Sequence, residues 1–248
     1  MNITGNTILI TGGGSGIGRA LAEALHAKGN SVIIAGRRER ALDEVTQANP
    51  GMASMLLDIQ NAADIAAFAR EAVARFPALN VVVNNAGIMR PEQQIDLAIA
   101  EETVATNLLG PIRLTAALLP HLKAQPRATV VTVSSGLAFV PLAATPTYSA
   151  TKAAIHSWSM ALRHQLKDTG VEVIEIAPPY VQTELLGPQQ ATDPDAMPLA
   201  DFTAEVMALL NAAPADGEII VERCKPLRFA ERNGQTHTLF SALAARDH

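Results

Sequence analysis

Tyr148 and Lys152 stand four residues apart in the run Tyr148-Ser149-Ala150-Thr151-Lys152. If that run opens a helix, the phenol and the ammonium share one face, one turn apart. A free tyrosine has a pKa of about 10 and rarely parts with its proton at neutral pH. A cation at roughly 5 Å and an effective dielectric near 20 favours the phenolate by about 3 kcal/mol, on the order of two pKa units. Such a tyrosine can give a proton to a developing alkoxide, or take one from an alcohol, near physiological pH. Tyr-x-x-x-Lys is also an ordinary spacing for an exposed helical pair, so the surrounding elements must decide between the two readings.

Just upstream, Ala128–Val133 reads as a strand that delivers Ser134 and Ser135. Neither serine lies in a nucleophile-elbow glycine pattern, so a hydrolase triad is not supported. Ser135 makes better sense as a hydrogen-bond donor that orients a carbonyl beside the tyrosine.

The elements that must position these groups begin with a β-branched and aliphatic run, Thr7–Thr11. It ends in Thr11-Gly12-Gly13-Gly14-Ser15-Gly16-Ile17-Gly18, and a helical pattern with Leu21 and Leu25 follows. Strand, glycine loop and helix in that order let the backbone approach a pyrophosphate that faces the helix N-terminus. A plain tight turn is the competing reading. The second strand, Ser31–Ala35, ends in Gly36-Arg37-Arg38. NAD sites place an acidic residue about 20 residues past the glycine loop, to bond the ribose 2′-hydroxyl. Here no carboxylate follows the strand until Glu39, and two guanidinium groups stand ready for a 2′-phosphate. NADP(H) is therefore favoured. NAD(H) stays open should Glu39 swing in, and the bland alternative is that both arginines solvate a helix running from Arg38 to Gln47.

A third strand, Ala53–Leu57, is followed by Asp58-Ile59. Asp58 can accept a hydrogen bond from an adenine amino group, or cap a helix starting at Asn61. A fourth, Leu79–Val83, is nearly all apolar and runs into Asn84-Asn85-Ala86-Gly87. Two amides and a glycine at a strand's carboxyl end suit the crevice where open α/β sheets bind ligands. Residues Ile95 to Gln125 read as helical, with Asn107, Gly110 and Pro111 inside. Asn and Gly are poor mid-helix residues, so a kink or a bound water is expected near Asn107. The helix from Tyr148 runs to about Lys167, and the sixth strand, Val171–Ala177, ends in Pro178-Pro179-Tyr180-Val181-Gln182-Thr183. An irregular stretch, Glu184–Pro198, reads as a lid or binding loop. A helix from Leu199 to Ala212, a strand Glu218–Val221 and a short helix near Thr238 to Ala245 complete the chain.

Composition narrows the classes. The 248 residues are 48% hydrophobic and 17% charged, as in a globular protein with a large core. A formal net charge of −5 without basic runs leaves no field for nucleic acid. The single cysteine, Cys224, reads as a small buried hydrophobe, and His156 and His164 as ordinary helix residues. No His-Glu-x-x-His spacing occurs, and no metal is expected. Met1 to Thr11 is too short and polar for a signal peptide or a membrane span, which predicts a cytoplasmic protein without membrane partners. The predicted fold is α/β: one domain over residues 1–248, a Rossmann-type doubly wound, mostly parallel seven-stranded sheet with helices on both faces, and a substrate-binding loop at about 180–198.

Taken together, the Thr-Gly-x-x-x-Gly-x-Gly loop, Asn85-Ala86-Gly87 with its preceding Asn84, Asn107, Ser135 and Tyr148/Lys152 stand in an order and spacing that resembles the short-chain dehydrogenase/reductase family over nearly the whole chain. That resemblance implies reversible hydride transfer between NADP(H) and a ketone, aldehyde or secondary alcohol. Tyr148 would be the general acid/base, Lys152 would lower its pKa and hold the nicotinamide ribose, and Ser135 would bind the substrate oxygen. Asn107 would anchor a water linking Lys152 to solvent. The cofactor would lie against Gly12, Ser15, Gly16, Ile17, Gly18, Arg37, Arg38, Asp58, Ile59, Asn85, Ala86, Gly87, Pro178, Val181 and Thr183 as well as Tyr148 and Lys152. Thr183 would bond the nicotinamide carboxamide. The family's usual Pro-Gly after the sixth strand is Pro178-Pro179 here, which removes one N–H from the nicotinamide face. A homodimer or homotetramer built through the long helices is implied. Rival readings are an NAD(H)-linked alcohol dehydrogenase of the same family and a regulator that senses NADP(H) without chemistry. Leu137, Ala138, Phe139, Val140 and Leu142 lean apolar and predict an uncharged carbonyl substrate. Arg90 reads as a surface arginine, with an acid-binding role as its alternative.

Overall fold

The apolar runs become neighbours in one sheet. The computed structural model describes residues 1–212 and 216–245. Its strands are β1 (Thr7–Thr11), β2 (Ser31–Gly36), β3 (Ala53–Leu56), β4 (Leu79–Asn84), β5 (Ala128–Val133), β6 (Val171–Ala177) and β7 (Glu218–Ile220), in the order β3-β2-β1-β4-β5-β6-β7. Every neighbouring pair is parallel, one step beyond the mostly parallel sheet expected. Successive strand residues point to opposite faces, so a sheet covered on both sides needs uninterrupted apolar runs. In β1, Ile8 and Ile10 enter the cluster that holds Leu21, Leu25, Phe202 and Val206, from α1 (Gly16–Ala27) and α7 (Leu199–Ala212). Leu9 enters the opposite cluster, with Phe68, Leu114, Leu118 and Leu162 from α3 (Ala62–Arg75), α5 (Gly110–Ala124) and α6 (Pro146–Leu166). Strand order reverses between β1 and β4, and that switch point opens the crevice at their carboxyl ends.

Local detail departs from expectation in four places. Asp58 does not cap α3: the Asn61 side chain accepts the Ala63 and Asp64 N–H groups, while Asp58 Oδ1 accepts from Gln60 N. A capping oxygen reaches the first free N–H groups only from the residue just before the helix. The expected kink at Asn107 is a π-helical turn, Ala105–Leu109, between α4 (Leu97–Val104) and α5. Gly110 ends that turn because a Cβ there would stand 2.6 Å from Ile59 Cγ1 and 2.7 Å from the Ile59 carbonyl oxygen. The Glu184–Pro198 stretch is not irregular throughout; it holds a 3-10 turn at Pro188–Thr192, and a parallel bridge pairs Val181 with Met197. Beyond β7 the chain forms a short α8 (Lys225–Arg228), which the sequence reading passed over, and α9 (Thr236–Ala244). Among the described residues no helix is long and apolar enough to cross a membrane.

Candidate active site

The strand ends bring the predicted residues to one edge of the sheet. Gly12 and Gly16 take φ values of +69° and +53°, a region that L side chains rarely adopt. Gly18 packs so tightly that a Cβ would lie 2.4 Å from the Gly12 carbonyl oxygen. The loop is locked to the end of β4, where Asn85 Nδ2 donates to the Thr11 carbonyl at 2.9 Å and the Asn85 and Ala86 N–H groups donate to Thr11 Oγ1. Ser15 precedes α1 but its side chain makes no capping hydrogen bond; its hydroxyl accepts Arg38 Nη2 at 2.8 Å instead. The first N–H groups of α1 therefore point out of the loop without a side-chain cap, the arrangement that suits a pyrophosphate.

Arg38 is thus drawn to the glycine loop, with Ile17 half-buried in the first turn of α1 beyond it. The charge of Arg37, behind the hydrogen bond and charge of Arg90, helps hold the Glu102 carboxyl below its ordinary range. Arg90 itself pairs with Glu102 at 2.9 Å and is half exposed, as its surface reading expected. Asp58 and Ile59 follow β3 on the same edge. The Pro178 carbonyl accepts the Gly136 N–H at 2.8 Å, tying the loops after β5 and β6, and the Thr183 methyl lies 3.5 Å from where a Gly16 side chain would begin.

On the β5 side, α6 carries Tyr148 and Lys152 into the crevice, 6% and 5% exposed. Lys152 Nζ donates to the Val133 carbonyl at 2.8 Å and lies 5.5 Å from the centre of the Tyr148 ring. Asn107 grips Ile88 at both backbone groups: Oδ1 accepts its N–H at 2.9 Å and Nδ2 donates to its carbonyl at 2.8 Å. Nδ2 also reaches Thr151 Oγ1 on α6. Gly87 fits between them, with Asn107 Oδ1 and Lys152 Nζ 3.3 and 3.7 Å from the position of an added Cβ. Of the five apolar residues expected to flank a substrate, Val140 is wholly buried and Phe139 packs edge-on against His156. Leu137, Ala138 and Leu142 remain half-buried.

The electrostatics correct one expectation. Burial pushes the Tyr148 phenol up to about 12, and the hydrogen bond with Ser135 only partly opposes it. Lys152 is not among the influences that lower it: its Nζ donates to the Val133 carbonyl, and burial draws the amine itself from 10.5 to about 8. From the chain's own groups, Tyr148 is a firmly protonated acid at neutral pH.

The family described as short chain dehydrogenase matches residues 6–194. The chain belongs to the short-chain dehydrogenase family. It is an NAD(P)-dependent oxidoreductase of that family. Its relatives include an uncharacterized oxidoreductase, DltE, of Bacillus subtilis, 43% identical over 242 residues and covering 94% of each chain. A short-chain dehydrogenase from Burkholderia cenocepacia, solved in complex with NADP, is 26% identical with a TM-score of 0.81, over 98% of this chain and 99% of that one. A short-chain dehydrogenase/reductase from Burkholderia phymatum, solved with NAD, has a TM-score of 0.83 at 19% identity, over 96% of each chain. At that identity the likeness speaks to the fold alone.

Two features of this short-chain dehydrogenase escaped the sequence reading. Glu92, 9% exposed, sits on the first turn of α6: Thr147 N–H donates to its Oε1 at 3.1 Å and Thr147 Oγ1 to its Oε2 at 2.9 Å. The carboxylate meets the positive end of the helix one residue before Tyr148. No local pattern marks it, because Glu92 comes from a loop that folds over α6 only in three dimensions. Glu92→Ala is expected to cost about 1–2 kcal/mol, seen as a lowered unfolding midpoint. Glu92→Gln, which keeps an acceptor, should lose less than half of that; equal losses would mean that only packing matters. The second feature is His156, read as an ordinary helix residue. Its Nδ1 lies 2.8 and 3.1 Å from the two oxygens of Glu175 on β6, a carboxylate with no exposure at all.

Proposed function

We propose that this oxidoreductase reduces an uncharged ketone or aldehyde with NADPH, and oxidises the corresponding alcohol in reverse. The observation that carries the reading is the burial of Tyr148, Lys152 and Ser135 together at the carboxyl edge of the sheet, beside the glycine loop. When bound, the dihydronicotinamide supplies a hydride to the carbonyl carbon. The chain's own residues do the rest. Ser135 and Tyr148 hydrogen-bond the carbonyl oxygen, and Tyr148 hands its proton to that oxygen as negative charge builds there. A phenol near 12 is still far more acidic than an alkoxide's conjugate alcohol, so the transfer runs downhill. The phenolate that remains keeps the hydrogen bond from the Ser135 hydroxyl, while the ammonium of Lys152 would hold the nicotinamide ribose.

NADP(H) is the preferred cofactor on four grounds. No carboxylate ends β2, two arginines do, and Arg38 already reaches across to Ser15. The Burkholderia cenocepacia relative was solved with NADP. The half-buried Leu137, Ala138 and Leu142 support an apolar substrate. The protein works as a homodimer or homotetramer; Ile95, Leu97 and Met160, 98%, 70% and 52% exposed, support a covered surface near α4 and α6. NADPH absorbance followed with a panel of ketones and aldehydes tests the assignment. Carbonyl-dependent loss of absorbance is the expected result, and cofactor binding without consumption of any member would point to the sensor reading.

A further inference from the structure

The inward row of β6 on the α6 side begins Val171 and Val173 in the apolar core and continues with Glu175, fully buried. A lone carboxylate in that place would be costly, so its partners define its purpose. Lys152 and His156 face it from α6, Glu218 from β7, and Cys224 and Arg228 from the chain beyond. Arg228 is taken by Glu218, through Nε at 2.7 Å and Nη2 at 3.0 Å, and stacks over Phe139. That pair is neutral by itself. Glu175 is left with His156, whose Nδ1 must carry the proton to donate to a carboxylate, and with the charge of Lys152.

The backbone explains why these two side chains share it. Lys152 and His156 are one turn apart on one face of α6. Lys152 Nζ is fastened to the Val133 carbonyl, while Val133 pairs with Ile176 and Thr132 with Glu175 across β5 and β6. Glu175, bonded to His156 one turn beyond Lys152, therefore lies past the lysine along α6 from Tyr148, which stands one turn before it. Resting on the reading of Lys152 given under Proposed function, we propose that Glu175 is a positioning residue for the hydride-transfer reaction: held by His156, its buried carboxylate keeps the Lys152 amine charged.

The balance of effects on Lys152 makes the consequence testable. Burial is the larger influence and lowers its pKa, Glu175 is the one that raises it, and the result is about 8. The ammonium thus dominates below about pH 8 and is lost above it. Removing the carboxylate charge moves that loss to lower pH, by about one unit. The experiment is a pH titration of lysine-¹³C-labelled protein by NMR, with the Lys152 signal assigned by its disappearance in Lys152→Arg. Glu175→Gln should lower the Lys152 midpoint by about one pH unit, and Glu175→Asp, which keeps the charge, should restore most of it. An unmoved midpoint in Glu175→Gln overturns the proposal, as does an equal shift in Glu175→Asp, which would mark a packing effect. The alkaline limb of kcat for carbonyl reduction should move with the NMR midpoint. The NMR arm needs no turnover: a shifted midpoint in a protein that reduces no carbonyl would uphold the pairing and overturn only the functional reading.

Discussion

Tyr148→Phe is expected to lower kcat for carbonyl reduction by about 10³-fold while leaving the Kd for NADPH within about threefold. The phenyl ring fills the same buried volume, so the 6%-exposed site keeps its shape and α6 its packing. What is lost is one O–H, that of the buried acid the structure places beside Ser135. Positioning by Ser135 and the cofactor would still contribute, which is why the loss stops short of the uncatalysed rate. Steady-state NADPH absorbance gives the turnover, and titration of the cofactor's fluorescence gives the affinity. A variant that kept a tenth of wild-type kcat would show that the proton comes from elsewhere. Loss of NADPH binding alongside turnover would instead reveal a role in holding the cofactor.

The second large effect concerns cofactor choice. Arg37→Ala combined with Arg38→Ala is expected to lower the preference for NADPH over NADH by about 10²–10³-fold in kcat/KM. Each charge-assisted contact with a 2′-phosphate is worth roughly 1.5–3 kcal/mol, and the two arginines directly follow the end of β2. NADH kinetics should change little, because no charge on that cofactor reaches this position. Arg38→Ala also releases the Ser15 hydroxyl, which is then available to cap α1. A Ser15 cap would compete with the pyrophosphate of NADPH and NADH alike, so the change in the NADPH-to-NADH ratio reads the missing guanidinium groups. Kinetics with both cofactors at low ionic strength check the claim, and an unchanged ratio would show that the arginines only solvate the start of α2 (Glu39–Ala48).

Much of this protein was legible before folding because its signals are local. Seven apolar runs of strand length, the glycine loop after the first and the amphipathic stretches between them state a doubly wound sheet through periodicity alone. Strand ends matched expectation to within about a residue, since β-branched runs and the glycines or polar residues after them are read from neighbours in the chain. The candidate acid, its lysine and Ser135 were equally visible, because spacing on one helix and position after one strand decide which side chains meet. Asn107 was conspicuous as a polar residue where a helix should be apolar, though its hold on Ile88 and its π-helical turn were not.

What the chain could not announce is what depends on distance and on water. Glu92 meets Thr147 across 55 residues and Glu175 meets His156 across 19, and neither pairing leaves a periodic trace. Ionisation is decided the same way. Spacing alone argued for a phenol made more acidic by a nearby amine, whereas the folded surroundings raise the phenol to about 12 and lower the amine to about 8. The sequence by itself determined which groups share the crevice. Only the tertiary structure decided how each holds its proton, because the cost of a charge is set by how completely its neighbours shut out solvent, and those neighbours are assembled by folding.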